Sequence, residues 1–212
     1  MSTPPSSRSV KISYDERLGW SSDRPRRDGA PARPADISTR CRILQPSDRL
    51  RYSPGSLLVI VSASAPARDA FVARVIQERG AVLSLAKVRG LLAGRVEPDQ
   101  MEARGADLLH AAASKRVDSG ETVVLAAEGL DAAEREPYVR MAAAHKRPRH
   151  IMLLETGRDD VPEESRAALN ALRKELDAGD LGAEGFQTAL RLGGGTVSEV
   201  KRIIFRPPPQ DD

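Results

Sequence analysis

The sequence has few cysteines, few aromatic residues and no long apolar run, and each shortage excludes a class of protein. Cys41 is the only cysteine among 212 residues, which excludes an internal disulfide framework and a multi-cysteine zinc site. Aromatic residues make up 3% of the chain, too few for the base-stacking surface of a single-strand nucleic-acid module. No apolar stretch approaches the roughly 18 residues that span a bilayer, and the first residues lack the apolar segment of a signal peptide. We therefore expect a cytoplasmic protein that does not contact membranes.

Positive charge is concentrated at the beginning of the chain. The formal net charge is +3, and residues 1–50 hold ten Lys and Arg against six Asp and Glu. The segment is rich in Pro, Ser and Arg and shows no sustained apolar period, which predicts a disordered arm over residues 1–51. Two islands in it, residues 10–20 and 41–50, are predicted to dock onto the folded domain or onto a partner. Such an arm is either simply solvated or contacts nucleic acid or an acidic protein.

Apolar strands alternate with amphipathic helices over residues 52–206. The run SLLVIV at residues 56–61 is typical of a strand buried on both faces. A helix is predicted from Pro66 to Arg79, with Gly80 as its stop. The alternation predicts an α/β domain with a parallel sheet, right-handed crossovers and helices on both faces. Further strands are predicted at residues 81–85, 121–127, 150–155, 186–192 and 201–205, further helices at residues 98–116, 131–145 and 162–179, and a disordered tail at residues 207–212.

The loop after the first strand is the place where such a sheet binds anions, because the next helix presents free N–H groups there. Aligned with the phosphate loop G-x-x-x-x-G-K-[ST], Ser62 and Ala67 replace the two glycines. Arg68 replaces the lysine, and Asp69 replaces the hydroxyl residue that binds the metal ion. None of the four defining residues is present. The full segment reads Ser62-Ala63-Ser64-Ala65-Pro66-Ala67-Arg68-Asp69.

Over residues 52–192 the chain resembles the polynucleotide-kinase-like branch of the P-loop phosphotransferases. The lead-in RYSPGSLLVIV and Phe71 after the altered loop match the family pattern. Ser84 and Arg89 match the motif S-x-D-x-h-R, in which h is apolar, but Ala86 replaces its Asp. Arg135 matches an arginine downstream of the third strand. The closing segment Glu184-Gly185-Phe186 resembles the E-G-F segment of the family.

The resemblance implies a three-layer P-loop NTPase-like fold and ATP-dependent phosphoryl transfer to an acceptor hydroxyl. In the family the Asp at the position of Ala86 is the general base, so its loss removes a rate contribution of about 10² to 10⁴. The residues that the resemblance assigns to a vestigial phosphate loop are Ser62, Ser64, Ala67, Arg68 and Asp69. The residues that it assigns to acceptor or anion binding are Arg89, Arg135, Arg166 and Arg173.

The substitutions in the loop weaken phosphate binding. Ala65 and Ala67 disfavour the left-handed backbone of a phosphate loop by about 1 to 2 kcal/mol each, which predicts a relaxed loop. Pro66 removes one N–H group from the anion cradle. A carboxylate at Asp69, about 4 Å from a phosphate, is repulsive by roughly 1 to 4 kcal/mol. Two parts of the catalytic machinery are therefore absent.

A structural interpretation of the same residues stays open. In it Ser64 is only the N-cap of the helix, Asp69 complements the helix dipole, and Arg68 and Arg89 are surface charges. Asp131 and Glu134 form a capping-box pattern at a later helix. The three histidines, His110, His145 and His150, are expected to be solvated or to lie at helix ends.

Three functions follow from these alternatives. The first is a catalytically degenerate kinase-like protein that binds a protein or nucleic-acid partner, with the basic arm as a tether. It needs no cofactor and no metal ion, and we assign no metal ligands. The second is a divergent kinase that uses ATP and Mg²⁺, with Arg68 as the lysine and Glu128 as the base. The third is a nucleotide or nucleic-acid binding module that captures anions through Arg68 and the four candidate arginines without chemistry.

Overall fold

A parallel sheet forms the centre of the molecule. The computed structural model describes residues 41–43, as backbone, and residues 50–207. The sheet has the strand order β1-β7-β6-β3-β5-β4, and every neighbouring pair is parallel. Most of the predicted arm, its island at residues 10–20 and the last five residues of the tail lie outside the described residues. The strands of this sheet are β1 (Cys41–Ile43), β3 (Leu57–Ser62), β4 (Val82–Leu83), β5 (Val123–Ala126), β6 (Arg149–Leu154) and β7 (Thr188–Leu192).

Helices cover both faces of the sheet. Because β3 is central, Val59 and Val61 face one apolar layer, and Leu58 and Ile60 face the other. The first layer is completed by α3, α4 and α5, and the second by α1. The predicted α/β class with a parallel sheet flanked by helices is therefore confirmed. The helices are α1 (Ala65–Val75), α2 (Leu85–Leu92), α3 (Met101–Asp118), α4 (Ala132–Ala144), α5 (Arg166–Ala178) and α6 (Gly195–Glu199).

Two strands lie outside the central sheet. β2 (Leu50–Tyr52) and β8 (Ile203–Phe205) pair with each other in parallel, so the last predicted strand does not extend the main sheet. Leu50 and Ile203 are buried against the layer that contains α1. At the other end of the sheet order, β1 pairs with β7. The central sheet therefore includes an edge strand from the island at residues 41–50, which was predicted to dock onto the domain or onto a partner.

The second β-α unit differs from its prediction. The strand expected over residues 81–85 is limited to Val82–Leu83, because Ser84 begins a helix that the sequence analysis did not predict. The Ser84 hydroxyl accepts a hydrogen bond from the backbone N–H of Lys87 at 3.2 Å and so caps α2. The motif residues Ser84 to Arg89 therefore belong to a helix rather than to a strand end.

Two predicted helix signals are wrong. Helix α1 ends at Val75, four residues before the predicted end, because buried Ile76 takes an extended conformation and packs into the apolar layer. Gly80 lies in a separate 3₁₀ turn. The capping box also fails, since Asp131 makes no side-chain cap and Glu134 instead accepts from the N–H of Gly129 at 2.7 Å.

Among residues 50–207, no helix is long and apolar enough to cross a membrane.

His150 is buried within a strand, in contrast to its predicted position in solvent or at a helix end. It lies in β6, where its Nδ1 is 2.8 Å from the Thr188 hydroxyl and its ring is 4.6 Å from that of Tyr52. Its Nε2 has no hydrogen-bond partner among the described residues. Burial, together with the charge of Arg149, lowers the pKa of His150 from 6.5 to about 4. The folded protein therefore keeps this imidazole neutral.

We expect His150 to make stability fall as the pH decreases from 6.5 to 4. The unfolded chain takes up a proton near pH 6.5 and the folded chain near pH 4, so stability is complete above pH 6.5 and about 2 to 3 kcal/mol is lost by pH 4. Urea denaturation between pH 7.5 and 4.5 measures this loss. His150→Asn, which stays neutral, should show a smaller loss, and exposed His110→Asn should match the wild type. An equal loss in His150→Asn contradicts the assignment.

Candidate functional site

The connection between β3 and α1 is too short to wrap around a phosphate. β3 continues to Ser62 and α1 begins at Ala65, so only two residues separate them. Lys146 is the one non-glycine residue with a positive φ among residues 50–207, so no residue of this connection adopts the left-handed conformation. The predicted relaxed loop is therefore confirmed. The second half of the aligned phosphate loop is the first turn of a helix.

The backbone N–H groups near the start of α1 donate to acceptors within the protein. The Ser64 side chain accepts from the N–H of Ala67 at 3.4 Å, which confirms that Ser64 is an N-cap. The backbone N–H of Arg68 donates to the Ser64 carbonyl at 3.0 Å, and Pro66 has no N–H. Ser62 donates its hydroxyl to the Leu154 carbonyl and accepts from the Ser64 N–H. Few donors remain at this helix end for an external anion.

Arg68 is directed into the protein. Its side chain is 1% exposed, and Nη1 donates to the carbonyl of Ala127, directly after β5. Its Nε donates to Oδ1 of Asp69 at 2.8 Å, and Nη2 lies at 2.8 Å from the same oxygen. The expectation that Arg68 is a surface charge is therefore wrong. It joins α1 to the end of β5, and its charge is paired with the residue that replaces the metal-binding hydroxyl.

Arg89 contacts the same strand end. Nε and Nη2 donate to the two carboxylate oxygens of Glu102 at 2.8 and 2.6 Å, and Nη1 donates to Glu128 at 2.6 Å. Hydrogen bonding to Glu102 raises the pKa of Arg89, partial desolvation opposes this, and Glu128 raises the pKa further. Hydrogen bonding to Arg89 lowers the pKa of Glu102. Because Glu128 follows Ala127, the fold brings Arg68 and Arg89 to adjacent residues after β5.

Arg173 pairs with a carboxylate at the end of β6. Glu155 is mostly buried and accepts from Nε of Arg173 at 3.0 Å, from Nη2 of the same side chain, and from Nε of Arg191 at 2.6 Å. Burial alone would raise the pKa of Glu155, but the hydrogen bonds from both arginines lower it. The sequence analysis missed Glu155 and Arg191. Glu155 could have been found from its position directly after an apolar strand, because parallel sheets place functional side chains there.

The remaining two candidate arginines are also paired. Arg135 is 1% exposed in α4 and donates Nε and Nη2 to the two carboxylate oxygens of Glu184 at 2.7 Å each. Its Nη1 donates to the Leu130 carbonyl at 2.7 Å. Arg166 is about half exposed and pairs with Glu163 three residues earlier. Among the described residues, no hydrogen bond or ion pair links Arg135 or Arg166 to Arg68, to Arg89 or to the partners of those two.

Two clefts at this edge of the sheet have more carboxylates than arginines in their linings, and a third is lined by Arg166 and Arg173, each of which is paired with a carboxylate. A cleft of about 900 Å³ lies beside the β3–α1 connection and is lined by Ser64, Glu155, Asp160 and Arg74, among others. Arg74 donates to the carbonyls of residues 197, 198 and 200 and so holds the segment around α6. A second cleft, of about 400 Å³, contains Glu128. No group of three or more potential metal ligands is found among residues 50–207.

Comparisons with known proteins give no assignment. No protein-family model matches the chain, and no curated protein matches it at a significant level. The class of protein that the fold defines is an α/β protein with a central parallel sheet, helices on both faces and an arginine-rich carboxyl edge.

We expect Arg68 to contribute to stability when no nucleotide is present. Replacing it by Met leaves the Ala127 carbonyl without its donor and removes the partner of Asp69, which should lower the free energy of unfolding by about 2 kcal/mol. Urea denaturation in phosphate-free buffer measures this change. Arg166→Met is the matched control, because its exposed pair should contribute less than about 1 kcal/mol. Equal stability of Arg68→Met and the wild type would show that Arg68 is free for a ligand.

Proposed function

We propose that this chain is a non-catalytic, P-loop-kinase-like module that acts by binding a macromolecular partner. One observation carries the proposal: every arginine that the resemblance assigns to phosphate or acceptor binding has a carboxylate partner within the chain. Because a carboxylate already occupies donors of each guanidinium and offsets its charge, a phosphate ligand must compete with that carboxylate, and its affinity is reduced most at the buried pairs. The pairs are Arg68 with Asp69, Arg89 with Glu102 and Glu128, Arg135 with Glu184, Arg166 with Glu163, and Arg173 with Glu155.

The surroundings of the β3–α1 connection support the same proposal. Ser64 satisfies the donor that an anion would use at Ala67, and Pro66 offers none. In the adjoining cleft, Glu155 already holds Arg173 and Arg191, and Arg74 is directed at backbone carbonyls. A triphosphate in this cleft would approach Asp160 and would have to compete with the groups that already accept from the nearby arginines. ATP binding is therefore disfavoured by both the backbone and the side chains.

The divergent-kinase alternative needs a replacement for the missing base. Arg89 holds the Glu128 carboxylate at 2.6 Å, so this carboxylate is directed at a guanidinium rather than at an acceptor hydroxyl. Ala86, which replaces the Asp that acts as the base in the family, lines a cleft of about 460 Å³ together with Asp69. The only carboxylate in that lining is already bound by Arg68. No specific contact among the described residues favours the kinase over the non-catalytic module.

We predict that the full-length chain binds ATP no more tightly than the millimolar range, with or without Mg²⁺. Isothermal titration calorimetry tests this directly, since 1 mM corresponds to only about 4 kcal/mol of binding free energy. Asp69→Asn is a matched variant that removes one repulsive charge without changing side-chain size. It should also fail to bind, because the Arg68 side chain remains buried with Nη1 on the Ala127 carbonyl and Ser64 still caps the helix. Magnesium-dependent binding in the micromolar range by either protein, or phosphoryl transfer to a hydroxyl acceptor, contradicts the proposal.

A further inference from the structure

The outer face of the small β2–β8 sheet carries a group of arginines. Residues 50, 52 and 203 are buried, so the alternation of side chains along a strand places residues 51, 202, 204 and 206 on the opposite face. Arg51 lies directly beside Ile204 in the parallel register. Arg202 and Arg206 flank Ile204 on its own strand. We call the three arginines around Ile204 the ribbon patch.

The ribbon patch differs from the carboxyl edge in that no carboxylate among residues 50–207 pairs with its arginines. The side chains of Arg202 and Arg206 form no hydrogen bond or ion pair with any residue that the structure describes. Arg51 donates only to the carbonyl of Pro207, at 3.1 Å. All three arginines are exposed. An anion could therefore bind them without displacing any carboxylate of the part of the chain that the structure describes.

A depression of about 370 Å³ accompanies the patch. It is lined by Arg51, by the whole of β8 with its flanking arginines, and by the segment Ile76-Gln77-Glu78 after α1. Glu78 is the one carboxylate in this described lining, and Arg116 holds it at 2.8 Å. The depression thus has three cationic side chains and one carboxylate that is already paired. Its charge is complementary to a ligand with several negative groups.

We propose that the ribbon patch binds the phosphate backbone of a nucleic-acid strand, and this inference rests on the proposed function because a non-catalytic module acts through what it binds. Arg202 and Arg206 are four residues apart, about 13 Å along a strand, so they reach different phosphates rather than one small anion. A guanidinium fork suits phosphate oxygens. Residues 1–50, which lead into β2, contain ten basic and six acidic residues. Because this basic segment and the ribbon patch are joined in sequence, a long polyanion is a better match for them than a small anion.

The contact should be insensitive to base sequence. Phosphate contacts position a strand without reading its bases, and specificity requires hydrogen bonds or stacking at the base edges. Within the described lining of the depression the only aromatic residue is Phe205, which stacks on Tyr52 at 5.9 Å between ring centroids. The patch therefore offers charge rather than a stacking platform. Binding should weaken steeply as salt is added.

Fluorescence anisotropy with the full-length chain tests the proposal. The probes are a labelled uridine oligomer and its thymidine DNA counterpart, each titrated over a range of salt concentrations. The wild type should bind both with dissociation constants between about 10⁻⁶ and 10⁻⁴ M. Arg202→Glu with Arg206→Glu should weaken binding at least about tenfold and make the logarithmic salt dependence shallower by about 1.4, or 0.7 for each lost phosphate contact.

The matched control is Arg95→Glu with Arg104→Glu, which changes the net charge equally at two exposed arginines outside the patch. The control should stay within about threefold of the wild type. Equal weakening by both pairs overturns the proposal, because total charge would then determine binding. Arg202→Gln with Arg206→Gln repeats the test without charge reversal, and thermal melts check that all variants fold.

Two further results would also overturn the inference. The first is absence of binding to both oligomers at low salt. The second is displacement of the labelled oligomers by polyglutamate at a lower concentration than unlabelled oligomer needs for the same displacement. That result would indicate an acidic protein as the partner. Either result leaves the proposed non-catalytic function intact, because that function fails only if the chain binds ATP tightly or transfers phosphate. The two proposals can therefore fail separately.

Discussion

Pairing between arginine and carboxylate side chains at the carboxyl edge of the sheet is the interaction on which the rest of this account depends. In a parallel α/β sheet this edge is where helix ends and loops meet a ligand. Here Arg68 and Arg89 bind the segment directly after β5, and Arg173 and Arg191 bind Glu155 directly after β6. Arg68, Arg89 and Arg173, which the resemblance assigns to phosphate or acceptor binding, instead hold helices to strand ends. The same side chains cannot do both without breaking contacts that the fold uses.

Much of the fold could be predicted because its main signals are local. The unbroken apolar run of β3 indicates a strand that is buried on both faces, and β3 is the centre of the sheet. The wrong predictions concern places where a tertiary contact decides the outcome. Buried Ile76 ends α1 early by packing in an extended conformation. The position of β8 beside β2 depends on residues about 150 positions apart, and no local pattern specifies that pairing.

The site was predictable only in part. The absence of the phosphate-loop residues is visible in the sequence, and so is Ser64 as an N-cap. The direction of the Arg68 side chain is not visible, because an arginine at the first turn of a helix can face a ligand or a neighbouring strand. Likewise the partners of Arg89 and Arg135, Glu102 and Glu184, are 13 and 49 residues away in the chain. Spacing alone does not distinguish an anion-binding arginine from one whose anion is within the protein.

Nuclear magnetic resonance of the arginine side chains tests the central claim most directly. Arg68, Arg89, Arg135 and Arg173 each donate their Nε–H to a carboxylate, so these protons should exchange slowly with water. Addition of tripolyphosphate to millimolar concentration should leave the four Nε–H signals unchanged. Saturable shifts of the Arg68 and Arg89 signals, with faster exchange of their protons, would show that phosphate displaces the carboxylates and would contradict the account.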